Sequence, residues 1–288
     1  STVNFSGAST ATMAIVPGGV NYNHVTFTGN GTTFNVAGTM SVGGNLLLND
    51  LSSGGGYLNT GTFNVSGNFS TSNYGKIGSA TIRIVGSTNQ TLTGAASAYI
   101  PNLEIASTGG VVSLVGTLVT KRNYTYTSGV VDAGTSTLSL SSYDATTVAT
   151  VPGPVTYYNV TFGGSGVTFN LTGTMTVAGT LTLNDGSSAT GYINGGTILA
   201  SGNIGLSNYG KIGTVLIRMV GSTNQTLTGF GTGFLPELEI ASTGGTVTLA
   251  GVIQLRKNYT YTSGTIAAGT STMVFWPLDT LTTTIIPG

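Results

Sequence analysis

The feature that most constrains this chain is internal repetition at a fixed period. Aligning residues 1–135 with residues 136–270 needs no gap and gives 78 identities. The nonapeptide Gly-Ser-Thr-Asn-Gln-Thr-Leu-Thr-Gly occupies residues 86–94 and returns at 221–229. Asn-Tyr-Gly-Lys-Ile-Gly at 73–78 returns at 208–213, and residues 124–129 return at 259–264. Residues 271–288 open a third copy, keeping Met273 and Phe275 on the alternating pattern while Trp276 and Pro277 are new. Repeats of fixed length belong to stacks whose units contact their neighbours, which points to a stalk or fibre before a catalyst. The expected division is repeat one at 1–135, repeat two at 136–270 and the start of a third at 271–288, in an array that continues beyond both ends.

Within each copy the chain alternates apolar and polar residues almost without pause. Residues 167–171, 175–177, 181–183 and 246–249 read as half-buried strands rich in β-branched residues. Glycine punctuates them at 163–164, 173, 179, 195–196, 202, 244–245 and 251, and no helical spacing runs over ten or more residues. Strand–Gly–strand segments recur on a scale of roughly 20 residues, the size of one solenoid coil. A weaker likeness, between residues 159–173 and 237–251, divides each copy into unequal halves. The pattern therefore predicts an all-β chain folded as a parallel β-helix, a β-solenoid built from tandem 135-residue repeats. The rival is a string of immunoglobulin-like β-sandwiches, which calls for hairpin turns and linkers that the sequence lacks. Val160, Phe162, Phe169, Leu171, Leu181, Leu183, Ile240 and Leu249, with their partners in copy one, form the expected core.

Composition narrows the function. Charged residues are 6% of the chain, with eight basic against eight acidic, where an average domain has about 25%. Such a surface offers no electrostatic footprint for nucleic acid or anionic lipid. Cysteine is absent, which excludes disulfides and thiolate metal sites, and no apolar run approaches the roughly 18 residues of a membrane-spanning helix.

The Gly-Thr-Leu-Thr, Ser-Gly-Thr-Ile and Asn-Gln-Thr-Leu-Thr-Gly style of the chain resembles repetitive bacterial adhesins and extracellular surface fibres. The resemblance covers the whole chain and is one of composition. It implies parallel β-helix repeats and a secreted or cell-surface location.

The residues that could carry chemistry point the same way. His24 is the only histidine, and Asn159 stands at its place in copy two, so no histidine site can be built twice. Asp50 with Asp185 and Glu104 with Glu239 are the acids kept in both copies. The Asp positions read as turns, and Glu237, which shares a strand face with Glu239, is Asn102 in copy one. All eight basic residues fall in matched pairs: Lys76/Lys211, Arg83/Arg218, Lys121/Arg256 and Arg122/Lys257. They read as solvated edges that discourage strand pairing; the alternative is a docking spot for another filament or an acidic glycan. Thr-x-Thr runs could rank threonines as in ice-binding solenoids, but they are also the ordinary polar face of a strand. Tyr57/Tyr192, Tyr74/Tyr209, Tyr124/Tyr259 and Tyr126/Tyr261 read as cross-strand and coil-end aromatics. Sequons occur at Asn89, Asn123, Asn159, Asn170, Asn224 and Asn258. No phosphate loop, calcium-loop or nucleotide fingerprint is present. The expectation is therefore a structural segment of an extracellular filament, stalk or sheath that associates with itself, with no catalytic, cofactor or metal site. An adhesive, glycan-binding stalk is the alternative, ahead of an ice-binding or polysaccharide-degrading β-helix.

Overall fold

The computed structural model describes residues 1–53, 56–142, 146–186, 191–277 and 284–286. Its contacts divide into two compact units, Ser1–Leu140 and Ser141–Gly288. Each is a parallel β-solenoid, and among the described residues there is no helix.

The first unit carries three parallel ladders, one on each leg of the coil. Thr2–Phe5 pairs on His24–Phe27, then Leu46–Asp50, Phe69–Asn73 and Gln90–Gly94 follow in turn. Thr12–Ile15 heads the second ladder, with Thr33–Val36, Gly56–Asn59 and Lys76–Ile77 above it. The third runs from Asn21–Tyr22 through Thr39–Val42 and Thr62–Val65 to Thr81–Ile84. The long strand Asn102–Thr120 bends through all three ladders: residues 102–105 join the third, 112–116 the first and 117–120 the second. The second unit repeats the scheme, with ladders headed by Thr147–Val151, Thr156–Tyr157 and Asn159–Gly163. Every strand pairing among the described residues of each unit is parallel, so the sandwich alternative, which needs antiparallel hairpins, does not hold.

One turn takes about 21 residues. The structural repeat is therefore the turn, and the 135-residue period of the sequence is not a whole number of turns. Thr2–Phe5 heads the first ladder, whereas its counterpart at residues 137–140 pairs with 117–120 in the second. A copy thus restarts one leg further round.

Period-2 alternation produces this packing because successive side chains on a strand point to opposite faces. All eight core positions expected in copy two are 0–5% exposed, and so are Val25, Phe27, Phe34, Val36, Leu46, Leu48, Ile105 and Leu114 in copy one. In the first unit the Phe27 ring, from the first ladder, meets Phe34 from the second at 5.1 Å and Phe63 from the third at 5.4 Å, both edge-on. Phe162 and Phe169 repeat the first of these contacts at 5.2 Å.

Corners are closed by side chains that satisfy the backbone. Gln90 is 1% exposed. Its Oε1 accepts from Gly86 N–H at 2.9 Å, while Nε2 donates to Val65 O at 3.1 Å and Gly67 O at 2.6 Å. Gln225 makes the matching set with Gly221, Ala200 and Gly202. This explains why the nonapeptide is written twice: its glutamine answers three backbone groups that a buried corner would otherwise leave unpaired.

Candidate functional site

Among the described residues, the only charged side chains that are fully buried form two lysine–aspartate pairs. Asp50 ends the strand Leu46–Asp50 and Lys76 begins Lys76–Ile77, so the pair spans the corner between the first and second ladders. Both side chains are 0% exposed and Lys76 Nζ donates to Asp50 Oδ2. Lys211 and Asp185 repeat the pair at 2.8 Å, again at 0% exposure for both.

Each carboxylate is also held by backbone. Asp50 Oδ1 accepts from Gly31 N–H at 3.0 Å and Ser52 N–H at 2.8 Å, and Oδ2 accepts from Gly56 N–H at 2.8 Å. Asp185 Oδ1 accepts from Gly166 N–H at 3.0 Å, and Oδ2 accepts from Gly191 N–H. The amines find carbonyls: Lys76 Nζ donates to Thr32 O at 3.4 Å, and Lys211 Nζ to Gly164 O at 3.1 Å. Phe34 and Phe169 present their rings to the two amines at 5.1 and 5.4 Å from the centroids. Burial pulls both ammonium groups below the ordinary 10.5, against the hydrogen bond and charge of the partner aspartate. Lys76 stacks in register on Gly56, and only glycine fits there. A Cβ at Gly56 would lie 2.3 Å from Asp50 Oδ2 and 2.6 Å from Lys76 Nζ. Gly191 stands in the same place beside Asp185 and Lys211.

These pairs correct two sequence expectations. Asp50 and Asp185 close strands with their carboxylates turned inward, and are not open turn residues. Lys76 and Lys211 are core residues, not solvated edges, because backbone donors to the partner carboxylate (three at Asp50, Gly166 and Gly191 at Asp185) and an aromatic wall offset part of the cost of burial. The sequence did hold a signal: an acid and a base kept in both copies at a separation of 26 residues, close to the length of one turn.

The remaining candidates are dispersed. Arg83 Nε lies 3.1 Å from Glu104 Oε1, and Arg218 Nε 2.9 Å from Glu239 Oε2, on the half-exposed outer face. Each bridges adjacent strands of one ladder, since Arg83 pairs in register with Glu104 and Arg218 with Glu239. Lys121 Nζ sits 4.3 Å from the Tyr99 ring centroid, and the Arg256 guanidinium 3.8 Å from that of Phe234. The exchanged order of Lys and Arg there preserves a cation over a ring. His24 Nδ1 accepts from Asn45 N–H at 2.9 Å. Asn159 at the matching place accepts from Thr180 N–H at 2.8 Å, so the histidine serves as a rung in an asparagine ladder. Sequon residues Asn89 and Asn224 are rungs too, accepting from Val111 N–H and Thr246 N–H. Tyr124 is fully buried, Tyr259 is 6% exposed, and Tyr57 and Tyr192 stand outward at 38% and 39%.

One polar groove of about 220 Å³ is lined by Thr81, Asn102, Leu103, Glu104, Asn123 and Thr125. Among the described residues no three His, Asp or Glu side chains converge as metal ligands, and no helix is long and apolar enough to cross a membrane. Comparison with known family models, curated proteins and solved structures yields no match.

Proposed function

We propose that the chain is a structural repeat segment of a secreted or cell-surface filament, stalk or sheath, which associates with itself and performs no catalysis. The observation that carries this reading is the ladder system. In each unit all three legs of the coil pair turn upon turn in parallel, so backbone hydrogen bonds run along the stacking direction. The charged groups support it as well, because the buried lysine–aspartate pairs are consumed in closing the coil and the outer Arg83–Glu104 and Arg218–Glu239 bridges run along a ladder. Compositional likeness to adhesins and surface fibres, together with the solenoid fold, favours an extracellular setting.

The test is to align purified material and record its fibre diffraction alongside electron micrographs. Filaments with the strand spacing of about 4.7–4.9 Å on the meridian are expected. A protein that stays a dispersed particle at every concentration, or that cleaves members of a polysaccharide panel, would overturn the reading.

An adhesive stalk is the second reading, and the groove beside Glu104 is what favours it. Asn102 Nδ2 there donates to Ser79 O and Ala80 O, and Glu104, whose Oε1 faces Arg83 and accepts from Thr127 Oγ1, lines with Asn123 and Thr125 an open polar surface suited to a neutral glycan. In copy two Glu237 takes the place of Asn102 and accepts from Asn258 Nδ2 at 3.1 Å. Glycan-array binding that is lost in Glu104→Gln would establish this reading; no binding on the array would remove it.

A further inference from the structure

We propose that each buried lysine–aspartate pair is the site of an internal covalent cross-link, an amide formed between Lys76 Nζ and Asp50 Cγ and again between Lys211 Nζ and Asp185 Cγ. The inference is independent of whether the chain assembles into filaments.

Four features of the site serve this reaction. Each amine already hydrogen-bonds the carboxyl group that it would attack, so the two reacting groups are held together before the step begins. The surroundings are apolar and closed: both side chains of each pair are fully buried, and a phenylalanine ring faces each amine. Burial also favours the uncharged amine, which is the form that can attack. Finally, the carboxyl oxygens are polarised by fixed backbone donors. Gly31 and Ser52 N–H groups converge on Asp50 Oδ1, the arrangement that stabilises an oxyanion, while Gly56 N–H holds Oδ2.

The step balances without any added reactant. Within the Nζ···Oδ2 hydrogen bond a proton passes from ammonium to carboxylate, leaving an amine beside a carboxylic acid. The Nζ lone pair attacks Cγ, and the charge that develops on Oδ1 is taken by Gly31 and Ser52 N–H at Asp50 and by Gly166 N–H at Asp185. The Cγ–Oδ2 bond then breaks, with Oδ2 carrying the transferred proton and a second one from nitrogen as it leaves as water. The amide keeps one N–H, and an acceptor already faces it: Thr32 O in the first unit and Gly164 O in the second. Exclusion of bulk water from the finished core opposes hydrolysis.

Intact mass measurement of the folded wild-type protein tests this directly and needs no variant that must fold. The expected mass is two waters below the sum of the sequence. Protease digestion should release branched peptides joining the segments that contain residues 50 and 76, and 185 and 211. After denaturation, Lys76 and Lys211 should resist acylation by acetic anhydride while Lys121 and Lys257 react. Lys76→Arg should restore one water to the mass and remove only the first branched peptide. A full-length mass equal to the sequence sum, with all four lysines acylated, overturns the proposal. So does a lost water without a branched peptide, as cyclisation at Asp185–Gly186 would give. Loss of one water with one branched peptide would confirm the cross-link at that pair and overturn it at the other.

Discussion

An ion pair sealed inside a solenoid is held there by its surroundings more than by its own attraction. Taking both charges out of water costs several kcal/mol per ion, and the mutual attraction recovers that only with good geometry and satisfied lone pairs. At Asp185 those conditions are met by Gly166 and Gly191 N–H together with Lys211. Removing one partner strands the other, so Asp185→Ala should lower the free energy of unfolding in urea by about 3–5 kcal/mol. Asp185→Leu combined with Lys211→Met should recover the part of that loss that comes from the stranded charge, since an apolar pair leaves none buried. If the single variant were as stable as wild type, the pair would have to be open to water. Sequence alone could not place these residues indoors, because Asn-Asp-Gly at residues 184–186 has the composition of an exposed turn. Only the coil geometry brings a lysine 26 positions away over it. His24 was legible as an ordinary strand residue, but its part as a ladder rung depends on Asn45 one turn later.

At the scale of the strand, the alternating pattern carried most of the information. A leg of four residues with two inward side chains, as in Thr168–Leu171 with Phe169 and Leu171 buried, can be read from the order of apolar and polar residues alone. Phe169→Ala would leave an aromatic-sized cavity against Phe162 and should cost about 3–5 kcal/mol, measured by the same urea titration. A loss below about 1 kcal/mol would mean that the site collapses around the gap. The corners were less legible. Glycine marked breaks between strands, yet Asn102–Thr120 and Glu237–Ala250 continue through them as single strands of 19 and 14 residues. Gly110 and Gly245 at φ 66° and 67° turn the backbone there, a left-handed geometry that bends a strand without ending it. A break in the alternation looks the same in sequence whether hydrogen bonding stops or merely changes direction.

Over the whole molecule, charge contributes little that salt could disturb. With 6% charged residues, the outer Arg83–Glu104 and Arg218–Glu239 bridges are half-exposed pairs of the kind worth about 0–1 kcal/mol each, while the lysine–aspartate pairs lie beyond the reach of screening ions. Raising sodium chloride from low concentration to about 1 M, where the Debye length is about 3 Å, should therefore leave the urea midpoint nearly unchanged. A large fall would mean that surface charges hold the fold together. The fold class was legible because repetition and alternation agree with each other. The turn length was legible as well, since strand–Gly–strand segments recur at roughly 20 residues and the coil takes about 21; what the sequence hid is that its longest exact period, the 135-residue copy, is not a whole number of turns.

That mismatch bears on how such a chain could lengthen. Residues 137–140 are written like Thr2–Phe5 yet are seated in the neighbouring ladder, where Leu138 and Leu140 are 1% and 0% exposed. A stretch of text can therefore move to another side of the coil and still find an interior to fill. The smallest interchangeable piece is then a single leg with its corner, well below a full circuit. A duplication that ends at a leg boundary, off a full circuit by one leg, therefore still lets the backbone keep winding.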